Sequence, residues 1–517
     1  MSISFAQYYL IICPIILILF LLSAKLNKSY PLKVLIICSI AILARFDRIS
    51  LIILFTITSI NFLLIQYLLY KPKYSNYVRR IGIIISLSPL LFYKIFLPFL
   101  SFKNSSPFSF ESLLIPLGVS FYCLQQVTSL CDCSKPNVCK LNYIQYLCYS
   151  MCFIYLPAGP LINYRNAAPQ FKVMENFQID TNKIAQGVSL FILGMSKKVI
   201  IANNISDNID SIYQALQNVP DIVLSATELF YLLWSSALQL YFEISAYSDM
   251  AIGLGLCFGL VLPINFDSPF KAKSVSNFIN SWHMSIMSFM REYVFQPVFM
   301  NLKKIINLPM KLRYSVAWAI AVYLTYVANG LWHISRGINI YYFISISFGA
   351  SLLVITELLK NNSKKTIFFG LSSVSQMLER LVLFIAVILS FSYFITPNAH
   401  ILSESILNSF GNFYITLPKF LLRLGLPENL FGFIQIIGTF PNIRMGGTLP
   451  MFYLLLFTLI VFFLPNTGEI FSLYKSSKFS LFHYYWSKKI WQGITLGILL
   501  YVNIFLVSNT KVYFYGQ

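Results

Sequence analysis

At 517 residues, with 57% hydrophobic and only 11% charged side chains, this chain cannot be solvated as an ordinary globule, since soluble domains carry about 25% charged residues. A mean hydropathy of +0.70 and apolar runs that recur from end to end point to one polytopic membrane domain over residues 1–517, all-α in class. The net charge of +20 would suggest nucleic acid as a partner, but no exposed basic-aromatic module is visible, which argues against it.

A crossing of the hydrocarbon core takes about 20 apolar helical residues. Such runs lie near 8–24, 31–44, 49–70, 81–100, 112–131, 143–162, 184–201, 222–242, 250–264, 314–333, 339–359, 380–397, 450–465 and 491–508. Several are short enough to be re-entrant or interfacial, so roughly eleven to fourteen transmembrane or re-entrant helices are expected. The first run lacks a basic leader and a small-residue cleavage site, so it is expected to stay as a helix. Lys25, Lys28 and Lys33 follow it, Lys71, Lys73, Arg79 and Arg80 follow the third run, and Lys135 and Lys140 follow the fifth. The alternate loops hold Arg45, Arg48 and Lys103. This bias places the first set in the cytoplasm and the N-terminus outside it, with the basic loops drawn to anionic lipid headgroups.

Of the nine cysteines, most sit inside apolar runs, where a thiol behaves as a small hydrophobe. The cluster "CDCSKPNVC" (Cys131, Cys133, Cys139) lacks a fourth ligand and the CxxC spacing of a zinc site, so no metal is expected. "NNISDNIDSIYQALQNVPD" reads as a loop or short surface helix. "NLKKIINLPMKLR", with Lys303, Lys304, Lys311 and Arg313, is expected on the cytoplasmic face. The Gly/Pro-broken region 400–447 is expected to be an interfacial insertion.

From Gln239 to His333 the chain sets Glu243, Asp249, Lys271, His283, Arg291 and Glu292 within or beside apolar helices. Such groups normally face a water-filled cavity or one another. Asp249, with Tyr247, reads as standing at a helix entry, where a carboxylate caps the N-terminus. Arg291 and Glu292 are expected to pair with other helices. The segment ends in "YSVAWAIAVYLTYVANGLWH", an uncharged run that closes on a Trp-His pair.

Several blocks along the chain resemble those of the membrane-bound O-acyltransferases, and within them the alginate O-acetylase type. "IPLGVSFYCLQQVTSLCD", "LPAGPLINYRNAAPQF", "LFILGMSKKVIIANN", "YFEISAYSDMAIGLGLCFGLVLPINFDSPFKAKS", "SWHMSIMSFMREYVFQPV", "NGLWH", "LPNTGEIF" and the closing "VYFYGQ" match in order. The likeness runs from about residue 85 to the end, with a core of about 85–333. It implies a ring of helices around a central funnel, with a histidine where acceptor and acyl donor meet. The match departs after His333, where Ile334, Ser335 and Arg336 precede Gly337. The helix that follows lacks a His-Gly, and "SFSYFITPNAH" lacks an arginine common in the family.

His333 is the leading catalytic candidate. A neutral imidazole can take the proton of a hydroxyl as it attacks a thioester carbonyl, an effect of typically 10²–10⁴. The alternative is a helix-terminal histidine bonded to a backbone carbonyl. Asn329, one turn earlier, faces the same way. It can orient the imidazole, polarise a carbonyl, or bond to a neighbouring helix. His283 is the second candidate, against a supporting role in the funnel lining. Trp332 and Trp282 are substrate-binding candidates or packing aromatics, while His400 and His483 read as surface residues. No Gly-x-Ser-x-Gly and no phosphate-binding loop occurs.

The resemblance implies an acyltransferase that moves an acyl group, acetyl first, from a cytoplasmic thioester donor (acetyl-CoA or an acyl carrier) across the bacterial inner membrane. The acceptor would be a cell-surface polysaccharide, with an extracytoplasmic acyltransferase partner protein finishing the transfer and membrane lipid surrounding the chain. No bound cofactor is expected. Within the same fold the rival is D-alanyl transfer to teichoic acid. Rivals of other classes are a secondary transporter without acyl chemistry and a non-catalytic scaffold. The paired broken helices of transporters are not visible.

Overall fold

The computed structural model describes residues 7–70, 75–97, 116–156, 159–218, 223–333, 340–363, 372–396, 398–411, 415–418, 429–430, 434–437, 448–471 and 473. The expected crossing at 491–508, His483, the closing "VYFYGQ" and the Ile334–Gly337 step lie outside them.

The chain opens with α1 (Cys13–Leu26), led in by a π-helical stretch Gln7–Ile12, then α2 (Tyr30–Phe46) and α3 (Arg48–Tyr70). Pro31 sits in the first turn of α2, where a missing N–H costs nothing, whereas Pro14 falls where the π-helical lead-in passes into α1. In α4 (Ser75–Leu91) the internal Pro89 removes a ladder donor, and the helix continues as a π-helical turn, Phe92–Phe96.

α5 (Val119–Asp132) and α6 (Tyr143–Met151) are shorter than the crossings expected at 112–131 and 143–162. Every residue of α5 except Cys131 is buried. Its apolar content faces protein rather than lipid, a distinction hydropathy does not make. A capping box on Asn142 starts α6, and the chain turns extended at Cys152. α7 (Tyr164–Val173) follows.

α8 (Thr181–Ser196), a π-helical turn Lys197–Ala202 and α9 (Asn203–Asn218) then run on without a break. The stretch expected as a loop or short surface helix is therefore a full amphipathic helix. Ile205, Ile209, Ile212, Tyr213 and Leu216 form its buried stripe, at the i, i+3, i+4 spacing of one helix face.

The crossings expected at 222–242 and 250–264 are one helix, α10 (Ala226–Cys257), of 32 residues. The polar residues that suggested a break need not end it, because they are paired. Glu243 takes the Lys198 ammonium, and Asp249 takes that of Lys197 at 2.6 Å. Asp249 thus lies inside a long helix and caps no N-terminus, correcting that expectation. The helix stops where Gly259 takes a left-handed φ of +78°. Two glycines let α8 and α10 touch backbone to backbone: a Cβ at Gly187 would come 2.5 Å from the Gly253 carbonyl oxygen. Small residues at such crossings permit the close approach that packs helices in lipid.

After α10 come α11 (Val275–Ile279), α12 (Met284–Phe289), a π-helical turn Met290–Phe295, α13 (Gln296–Ile305) and α14 (Met310–His333). α15 (Ile340–Ser363) and α16 (Ser372–Ile395) pack in turn on α14 and α10. In the region expected as an insertion, α17 (Ala399–Gly411) is tied to the start of α10 by Ser409 Oγ, which donates to Leu224 O at 2.7 Å. A small sheet follows, β1 (Ile415–Pro418) parallel to β3 (Ile434–Ile437), which pairs antiparallel with β2 (Asn429–Leu430). α18 (Thr448–Phe463) and the single turn α19 (Thr467–Ile470) complete the described chain.

Among the described residues four helical stretches are long and apolar enough to cross a membrane: Tyr8–Leu26, Arg48–Tyr70, Thr181–Asn218 and Met310–His333. Outward faces carry bare apolar side chains such as Ile52, Leu63, Ile84 and Leu455. Exposure of this extent across the surface suits lipid and not water.

Candidate active site

α14 delivers His333 as its last residue, and its final turn also carries Asn329 and Trp332. Trp332 is the hub. Its indole Nε1 donates to the Ser120 carbonyl at 3.0 Å, and its ring stands edge-on to Phe121. His283 meets that ring edge-on at 6.4 Å between centroids, and His333 at 4.5 Å. The far side of His333 is closed by Phe394, perpendicular at 5.3 Å. Lys94, on the π-helical turn after α4, donates from Nζ to the Trp332 carbonyl at 2.7 Å and lies 5.7 Å above the indole centroid. His333 is within electrostatic reach of both His283 and Lys94.

His283 is placed by an unusual backbone. Its φ of +42° is left-handed, a region that non-glycine residues occupy only when their surroundings enforce it. Asn265 supplies that enforcement. Its carbonyl accepts from Met284 N at 2.8 Å, its Oδ1 from Ser285 N at 3.3 Å, and its Nδ2 donates to Ser248 Oγ on α10 at 2.8 Å. The adjacent Trp282 sits in an aromatic cluster, 4.4 Å from Phe391 and stacked on Phe278.

Three buried polar atoms here have no protein partner among the described residues: Asn329 Oδ1, His283 Nδ1 and Ser120 Oγ. Buried polar atoms are nearly always satisfied, so such a group suits water or a polar substrate. No hydrogen bond joins the His333 side chain to a backbone carbonyl among the described residues. A small cavity of about 10 Å³, room for a single water molecule, abuts the loop that holds His283, lined by Ser245, Ser248, Asp249, Asn265, Phe266 and Thr467.

Around this centre the charged residues are paired. Lys197 reaches Asp249, Ser245 and Thr467, and Thr467 also donates to Asp249 Oδ1 at 2.9 Å. Glu292 takes both Arg165 guanidinium nitrogens at 2.6 Å and Lys135 at 3.0 Å, while Arg291 bonds Asn280. At the loop end of α5, partial burial acts against the Lys135 charge, but the hydrogen bonds it donates to Asp132 and Glu292 outweigh it and raise the group above its ordinary range. No group of three His, Cys, Asp or Glu side chains is set to hold a metal ion among the described residues. His400 lies on α17, exposed beside Glu404.

Sequence reasoning passed over Lys94 and Asn265. The signal for Lys94 was a lone charge inside the run 81–100. For Asn265 it was an amide within a matched block, with nothing to assign it a role.

These features fall within a span whose family is shown. Residues 64–396 match the model of MBOAT, the membrane-bound O-acyltransferase family, and the chain belongs to that family. Among curated proteins it is similar to the peptidoglycan O-acetyltransferase of Helicobacter pylori, 33% identical over 246 residues, 42% of this chain and 46% of that protein. It is 29% identical over 315 residues to the probable alginate O-acetylase AlgI of Pseudomonas syringae pv. tomato, covering 60% of this chain and 55% of that one. To the teichoic acid D-alanyltransferase of Bacillus subtilis it is 27% identical over 322 residues, 60% and 77% respectively. The matches thus span about half the length of the two O-acetylating relatives.

Proposed function

We propose that the chain is an O-acyltransferase of the bacterial cytoplasmic membrane, passing an acetyl group from a cytoplasmic thioester to a hydroxyl of a cell-surface polysaccharide. The observation that carries this reading is the pair of imidazoles, His283 and His333, gathered about Trp332 at the end of α14 beside unpartnered polar atoms. In the reaction the acceptor hydroxyl oxygen attacks the thioester carbonyl, and His333 takes its proton. A C–O bond forms, the C–S bond breaks, and the proton passes to the departing thiolate. In this reading Asn329 Oδ1 and His283 Nδ1, both without a protein partner among the described residues, orient the hydroxyl-bearing group. The donor is acetyl-CoA or an acyl carrier.

For a polymer acceptor we further infer an extracytoplasmic partner acyltransferase that completes the transfer. The likeness to a D-alanyltransferase supports a second reading, D-alanyl transfer from a carrier protein to teichoic acid.

Membranes containing the chain, given labelled acetyl-CoA and a small hydroxyl acceptor, should transfer label. His333→Ala should abolish transfer while expression and insertion persist, and His283→Ala should reduce it less severely or destabilise the chain. Near-wild-type turnover in His333→Ala would sink the mechanism. Label entering from a D-alanyl carrier alone would favour the second reading, and no group transfer from either donor would leave a transporter or a scaffold.

A further inference from the structure

Lys94 is a buried lysine, only 3% exposed, with no carboxylate partner among the described residues. Burying an unpaired ammonium is expensive, and a lipid-facing lysine would instead extend its stem toward the headgroups. This one points inward and spends a donor on a backbone carbonyl 238 residues away, that of Trp332. That carbonyl belongs to the last turn of α14, where the final four carbonyls of any helix lack intrahelical partners and a cation is favoured. The turn bearing Lys94 is π-helical. The register change there rotates the side chains that follow relative to an unbroken α-helix, a device frequent at functional sites.

We propose that Lys94 is a positioning residue for the acyl transfer: by binding the Trp332 carbonyl it fixes the last turn of α14, and with it the aim of the His333 imidazole. The proposal rests on the O-acyltransferase reading.

The test is acetyl transfer to a small hydroxyl acceptor by the full-length chain in membranes, with kcat and KM measured for Lys94→Met, Lys94→Gln and Lys94→Arg. Misplacing a catalytic group by about 1 Å can lower rate about 10²-fold. Lys94→Met should thus lose roughly 10- to 100-fold in kcat, with KM for either substrate little changed. Lys94→Gln keeps a donor and Lys94→Arg keeps donor and charge, so both should recover part of the loss. Full kcat in a well-inserted Lys94→Met overturns the proposal. So does a loss that neither Gln nor Arg relieves, or one that raises KM as much as it lowers kcat, for then the lysine is only structural. If Lys94→Met does not fold, Lys94→Gln carries the same test. His333→Ala run in parallel separates the two readings: activity there refutes the O-acyltransferase mechanism, whereas its loss beside a fully active Lys94→Met refutes only the role of Lys94.

Discussion

Gly253 gives the sharpest mechanical test of the crossing between α8 and α10. A Cβ at this position would lie 2.6 Å from the Gly187 carbonyl oxygen and 2.6 Å from the Phe191 backbone nitrogen. Both are backbone atoms, so neither can rotate away as a side chain would. Ordinary contact begins at 3.4 Å, so Gly253→Ala has to open the crossing by about 0.8 Å, the difference between the two distances. The Lys197–Asp249 pair spans the same two elements at 2.6 Å. An opening of that size takes it to the limit of a useful charged hydrogen bond. Overpacking of this kind costs about 1–3 kcal/mol, and the stretched ion pair adds in the same direction. The assay is the fraction of detergent-purified chain that stays monodisperse after heating, with Gly411→Ala as control, because a Cβ at Gly411 meets nothing within 4 Å. The Gly253 variant should lose monodispersity at clearly lower temperature than the control. Equal midpoints would show that the crossing is slack and that its glycines are not required for close approach.

Glu243→Gln should destabilise by about 3–5 kcal/mol, because it leaves Lys198 charged and buried; both side chains are at most 5% exposed. Lys198→Met combined with Glu243→Leu should regain most of that in the same heating assay, and a double variant as labile as the single one would refute the pairing argument. Glu292→Gln removes the shared partner of Arg165 and Lys135, but those two side chains are 39% and 41% exposed. Solvent screening holds that loss to about 1 kcal/mol or less. The difference from wild type should shrink in high salt, and a salt-independent loss would point to packing instead.

The parts of the fold legible in the sequence were those that hydropathy measures directly. The uncharged run 314–333 appears as a single crossing ending in Trp332 and His333. Hydropathy failed where apolar residues face protein. α5 carries Gln125, Gln126, Thr128 and Asp132 among its apolar residues and lies almost wholly inside the protein. It also failed in α10, which read as two crossings with Asp249 at a helix entry. The partners of Glu243 and Asp249, Lys198 and Lys197, sit about fifty residues earlier, and only the packed structure brings them together. At the candidate site, the paired Trp-His blocks singled out His333 and His283, and the structure gathers both imidazoles about Trp332. Lys94 was not, because its partner is a main-chain carbonyl and no side-chain pattern encodes that.

The unbroken run from Thr181 to Asn218, 38 residues, measures about 57 Å at 1.5 Å per residue. That is nearly twice the hydrocarbon core of about 30 Å. Clamped to α10 by the glycine crossing and two ion pairs, it acts as a girder that cannot shorten. Mismatch with a thinner or thicker bilayer then falls on tilt and on the surrounding lipid. The loop bearing His283 is tied through Asn265 to Ser248 on α10, the helix clamped to that girder. Its depth is therefore set by the protein frame and not by the membrane surface, so a thinner bilayer shortens a substrate's path to the imidazoles without moving them.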